Sequence, residues 1–126
     1  MNVPVGLRYS KDHEWVRVGG DVATVGITDY AQDALGDVVY VDPPMIGSAL
    51  NAGDSFGEVE STKSVSELYA PISGTVASTN DELETEPEKL NADPYGDGWI
   101  CTVTMSDTGE LDALMDSDAY QTFIAG

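Results

Sequence analysis

Ser55-Phe56-Gly57-Glu58-Val59-Glu60-Ser61-Thr62-Lys63-Ser64-Val65-Ser66-Glu67-Leu68-Tyr69 is the stretch on which the reading of this chain turns. Its two halves, 55–60 and 64–69, carry β-branched or aromatic residues with polar alternation, so each predicts a short strand. Together they predict a β-hairpin with Lys63 at its tip. A tip leaves a side chain in solvent with little packing around it, which suits a group that an enzyme must reach and modify. Taken alone, the segment is more simply a solvated turn lysine, because short motifs often match by chance.

Working outward, His13–Val18 and Asp21–Ile27 alternate around Gly19-Gly20, a strong hairpin signal. Residues 28–36 predict one short helix: Thr28 or Asp29 suits the N-cap, Ala31, Ala34 and Leu35 share a face, and Gly36 stops it. Asp37–Val41 reads as a strand closed by Pro43-Pro44, since proline cannot donate to a ladder. Beyond the lysine hairpin, Ala70–Gly74 turns into a strand over 75–80, and a further strand is predicted over 98–104. The acidic run 81–91 predicts a helical turn or two around Pro87, with Glu82, Glu84, Glu86 and Glu88 solvated and without a basic partner nearby. From Leu111 to Ile124 the apolar spacing becomes helical, with Asp116 or Ser117 as cap. About seven short strands with small helices fit a β-sandwich or barrel-like body.

The 126 residues suit one domain, expected to span 1–126 with a helical cap over about 109–126. With 23 acidic against five basic residues and a formal charge of −18, nucleic acid is an unfavourable partner. Repulsion on that scale is screened where the Debye length falls to about 3 Å in 1 M salt, so a host with a salty cytoplasm is expected; an ordinary acidic domain is the simpler alternative. One cysteine excludes an internal disulfide, and no Cys/His cluster suits zinc. The opening residues lack the basic and apolar regions of a signal peptide, so a soluble, cytoplasmic protein is expected.

Catalytic apparatus is sparse. Cys101 lies mid-strand among apolar neighbours, a setting for a hidden core thiol. His13 and Glu14 are adjacent, and neighbours on a strand point to opposite faces, so without a bend they cannot serve one substrate. No G-x-S-x-G, G-x-G-x-x-G or Walker-type motif occurs, and 93–98 lacks the spacing of a calcium loop. Chemistry would have to come from something attached to Lys63.

Several segments together, in order, carry a family pattern: Tyr9-Ser10 with His13-Glu14-Trp15; Gly26–Gln32 through Leu35–Val39; Val59-Glu60-Ser61-Thr62-Lys63-Ser64-Val65; Ala70–Gly74; and Asn91–Trp99. In them the chain closely resembles the glycine cleavage system H proteins. The resemblance implies a mostly β, lipoyl/biotinyl-type barrel-sandwich hybrid with short helices, including one at the C-terminus. It implies a non-catalytic, monomeric carrier, with lipoic acid joined to the ε-amine of Lys63 as N6-lipoyllysine. The arm would take an aminomethyl group from the glycine decarboxylase (P protein) to the tetrahydrofolate-dependent aminomethyltransferase (T protein). Dihydrolipoamide dehydrogenase (L protein) would then reoxidise it.

By the same resemblance Glu60, Ser61 and Thr62 serve recognition by a lipoate-attaching enzyme, and a cleft shelters the loaded arm, with Glu14 contacting its amine. The chain departs from the pattern at Ala34, where many members carry histidine, and at Asp12, which replaces a small polar residue. Other carriers differ more: biotinyl domains present Met-Lys-Met and 2-oxoacid dehydrogenase lipoyl domains Asp-Lys-Ala, against Thr62-Lys63-Ser64 here. A homologue that only relays lipoyl groups remains open, as does, more remotely, a hydrolase or thiol enzyme using Cys101 or His13.

Overall fold

The structure, a computed structural model, describes residues 1–126. The chain forms β1 (Arg8–Tyr9), β2 (Glu14–Gly19), β3 (Val22–Ile27), α1 (Asp29–Leu35), β4 (Val38–Asp42), β5 (Ala49–Leu50), β6 (Ser55–Ser61), β7 (Val65–Tyr69) and β8 (Gly74–Thr79). Two single-turn helices follow, α2 (Glu82–Thr85) and α3 (Lys89–Ala92), then β9 (Cys101–Met105), a 3₁₀ segment (Thr108–Ala113) and α4 (Ser117–Ala125). A six-stranded sheet has the order β1-β2-β3-β9-β8-β5, and a three-stranded sheet has the order β4-β6-β7. The mostly β, two-sheet expectation is met, and the lysine hairpin is β6–β7.

Alternation in the strands explains the layering. Val41, Val59 and Leu68 turn inward from the small sheet, while Val16, Ala23, Val25, Val76, Cys101 and Val103 turn inward from the large one. They meet in one cluster of 18 buried residues. Each valine or leucine among them, withdrawn from water, contributes on the order of 1.5–3 kcal/mol, which holds the two sheets face to face.

A second cluster, Leu7, Tyr9, Trp15, Tyr95 and Tyr120, fastens both termini to the large sheet. Tyr9 and Tyr120 stack with centroids 4.6 Å apart, seating α4 over β1. The Trp15 indole N–H donates to the Pro94 carbonyl at 2.9 Å, and its ring covers Gly26, where a β-carbon would stand 2.6 Å from the ring. Only glycine leaves room for the indole against β3.

Helix α1 is capped as its residues dictate: the Thr28 hydroxyl accepts from the Ala31 N–H, and the Gly36 N–H returns to the Gln32 carbonyl. Asp116 caps α4 in the same way through Ala119.

Three expectations are corrected. The two-residue strands β1 and β5 are too short for any periodicity to announce them, so nine strands replace about seven. The last strand starts at Cys101 rather than 98, because the Asp93–Gly98 turn is still closing, with the Gly98 N–H bonded to the Asp93 carbonyl. The acidic run does have a cation: Lys89, inside the run itself, lies 2.9 Å from Glu82 and 3.3 Å from Glu86, three residues before it.

Candidate functional site

The tip of β6–β7 is built by one serine. The Ser61 hydroxyl oxygen accepts the Lys63 and Ser64 N–H groups, each at 3.1 Å, while the Ser61 N–H donates to the Ser64 carbonyl at 2.8 Å. This side-chain turn closes the hairpin locally. Thr62 is exposed, and its N–H donates to the Asp37 carbonyl at 3.0 Å, tying the tip to the segment after α1. Glu60 is half-buried and paired in register with Tyr40 and Val65. Lys63 is exposed, as the sequence predicts, and no carboxylate pairs with its amine. The outer face of the hairpin is acidic: Asp42, Glu58 and Glu67 stand in one cross-strand row without a cation.

Beside the tip, between α1 and β7, runs a cleft of about 270 Å³. Leu35, Ala34 and Ala31 form one wall, Ser64 to Leu68 the other, and Asp12, His13, Glu14 and Ile27 close the far end. Lys63 is thus at the mouth of the cleft and Glu14 at its end. Ala34 and Asp12, the two departures from the family pattern, both line it.

Glu14 is 2% exposed. One carboxyl oxygen accepts the Ser10 hydroxyl at 2.7 Å, and the other faces the Tyr69 N–H at 3.4 Å. Burial pushes its pKa up to about 8; the bonds from Ser10 and Tyr69 oppose that rise, and the nearby Asp12 adds to it. At neutral pH burial therefore favours the acid form of this group, and a cation brought close would favour the carboxylate.

The bend that the sequence argument required is present at His13, whose φ of 70° is left-handed. It turns His13 and Glu14 toward the same cleft despite their adjacency. The imidazole is held by Tyr120, whose hydroxyl is 2.8 Å from Nδ1, and by Tyr30, with centroids 4.7 Å apart. Burial lowers its pKa, partly offset by Asp12. Cys101 is buried and its pKa is raised to about 12 by burial alone, as suits a core thiol.

Ser10 belongs to the family pattern, but the sequence assigns it no role. Its contact with Glu14 depends on the turn between β1 and β2, in which the Ser10 N–H bonds the Glu14 carbonyl, and no periodicity marks that turn.

Two facing sheets, a short helix on the flank and a hairpin that presents a lysine define a carrier fold of the lipoyl/biotinyl type. The comparisons then narrow the class. Residues 7–126 match the family model for the glycine cleavage H-protein. The chain is 58% identical over 121 residues to the probable glycine cleavage system H protein of Haloarcula marismortui, covering 96% of this chain and 95% of that one. It is 55% identical over 121 residues to the glycine cleavage system H protein of Micrococcus luteus, covering 94% of each. The crystal structure of the H protein from Mycobacterium marinum superposes with a TM-score of 0.90 at 39% identity, over 98% of this chain and all of that one. The chain belongs to the glycine cleavage H-protein family, and is a carrier component of the system rather than one of its enzymes.

Proposed function

We propose that residues 1–126 act as one lipoyl-carrier unit of the glycine cleavage system, with lipoic acid in amide linkage to Nζ of Lys63. The observation that carries this reading is the pairing of an exposed, carboxylate-free lysine at a clamped tip with a cleft that starts beside it and ends at Glu14. The apolar wall residues Ile27, Ala31, Ala34, Leu35 and Leu68 suit an alkyl chain, and the buried carboxyl suits an amine at its end. When bound, the group supplies a disulfide that accepts the aminomethyl unit derived from glycine.

The chain's own residues then position and shelter. Ser61 holds the tip in one shape, and with Glu60 and Thr62 it gives a lipoate-attaching enzyme a fixed surface to read. Glu14 would pass its proton to the neutral cargo amine and pair, as the carboxylate, with the ammonium so formed, while Ser10 and the Tyr69 N–H hold the carboxylate in place. Lys63, exposed at the tip, would present the group to three partners: the P protein for loading, the T protein for transfer to tetrahydrofolate, and the L protein for reoxidation. The setting proposed is the cytoplasm, with no membrane and no nucleic acid involved. No helix of the structure is long and apolar enough to cross a membrane.

The direct test supplies the lipoylated chain and P protein with glycine labelled at its methylene carbon. Label should be found on the peptide containing Lys63 and be absent from Lys63→Arg. A chain that gains label equally in both forms would end the proposal. For Glu14, a loaded Glu14→Gln protein should release its cargo faster than the parent; equal persistence would remove Glu14 from the role.

A further inference from the structure

Lys63 has no ion-pair partner, yet its stem does not project straight into water. It lies across the backbone of Gly36. A β-carbon on Gly36 would stand 3.1 Å from Cε, 3.4 Å from Cδ and 3.6 Å from Nζ of the lysine. Gly36 has φ 80° and ψ −158°, a conformation almost confined to glycine.

That glycine is held from both sides. The Asn91 amide donates to the Gly36 carbonyl at 2.8 Å, and the Asn91 carbonyl oxygen accepts the Val38 N–H at 2.9 Å. Between them, Asp37 accepts the Thr62 N–H from the lysine's own turn. The surface under the stem and the turn that carries it are therefore parts of one bonded unit. Just past Gly36 the cleft opens, walled by Leu35 and Ser64; five residues on from Ser64, about 16 Å along the strand, the Tyr69 N–H meets Glu14.

We propose that Gly36 is a positioning residue for the Lys63 arm: its bare α-carbon, fixed by Asn91, is the track that lays the lysine stem down at the mouth of the α1–β7 cleft. The role goes beyond ending α1, because a side chain here would lift the stem away and re-aim everything attached beyond Nζ. Gly36→Ala also strains the backbone at this φ and ψ, so the flexible, exposed stem yields at the contact while the segment itself is disturbed, and the Asn91→Ala arm of the test, which adds no side chain at position 36, is needed beside it. The inference rests on the reading that Lys63 bears the arm and that the cleft shelters its cargo.

The test has two arms. On the unmodified full-length chain, NMR should show a nuclear Overhauser contact between the Gly36 α-protons and the Lys63 ε-protons, and its absence would overturn the proposal whatever any variant does. On the lipoylated, aminomethyl-loaded chain, cargo release is timed for the parent, for Gly36→Ala, and for free lipoamide carrying the same load. The parent should release more slowly than free lipoamide, with Gly36→Ala severalfold faster than the parent. Asn91→Ala, which frees the same segment without adding an atom, should shift release in the same direction and keeps the test usable if Gly36→Ala folds poorly. If the parent outlasts free lipoamide but folded Gly36→Ala and Asn91→Ala both hold their cargo as long as the parent, Gly36 has no positioning role. If the parent releases as fast as free lipoamide, the sheltering reading fails first and takes this inference with it.

Discussion

Replacing Glu14 with glutamine should flatten the dependence of stability on pH. In the folded chain, burial moves this carboxyl from its ordinary 4.5 to about 8, against the opposing bonds from Ser10 and Tyr69. Unfolding returns it to water and to its ordinary value. Between those two values the folded chain keeps a proton that the unfolded chain has lost. The associated stability is therefore complete below about 4.5, declines as pH rises, and is gone above about 8. The gap between the values, at about 1.36 kcal/mol per pH unit, bounds the loss at about 5 kcal/mol. Water in the adjoining cleft reduces this, and ~2–4 kcal/mol is the expectation.

Glutamine keeps the shape of the side chain, accepts the Ser10 hydroxyl and carries no charge. Urea unfolding of both proteins from pH 4.5 to 9 in molar salt, which screens the chain's −18 charge, isolates the effect. Contributions from other groups, His13 among them, occur in both proteins and largely cancel in the difference. Glu14→Gln should match the parent near pH 4.5 and exceed its stability by about 2 kcal/mol at pH 7 and more at pH 8.5. A difference that stays constant across the range would refute the argument that burial sets the state of this carboxyl.

Three further outcomes follow from the geometry. Gly26→Ala would force a β-carbon against the Trp15 ring and should cost about 1–3 kcal/mol in urea unfolding, with altered tryptophan fluorescence. Glu58→Lys, in the row with Asp42 and Glu67, should stabilise the low-salt protein by about 0.5–1 kcal/mol, a gain that fades in melts at 1 M salt. Ser61→Ala should leave global stability within about 1 kcal/mol while speeding amide exchange at Lys63 and Ser64, whose N–H groups it unties.

What the sequence disclosed and what it withheld divide along physical lines. The hairpin around Lys63, the α1 caps at Thr28 and Gly36, and the Asp116 cap were legible because each is specified by neighbours in the chain. The track under Lys63 was not, because it needs Gly36, Asn91 and Asp37 to meet across 55 residues. The state of Glu14 was also hidden, since its burial depends on β7 closing over it from residue 69. His13 was legible as a residue but not as a bend: nothing local announces a left-handed histidine, and its ring is fixed by Tyr120 at the far end of the chain. Lys89 is legible as a partner of Glu86, three residues before it, whereas its bond to Glu82, seven residues away, is seen only in the fold.

The central claim is that the amine of Lys63 is not free in the working protein. Intact-mass measurement on the chain made in a lipoate-replete native host, with and without Lys63→Arg, addresses it most directly. The account predicts a single lipoyl-sized increment that maps to Lys63 and vanishes on substitution. Identical unmodified masses for the two proteins, apart from the lysine-to-arginine difference itself, would contradict it.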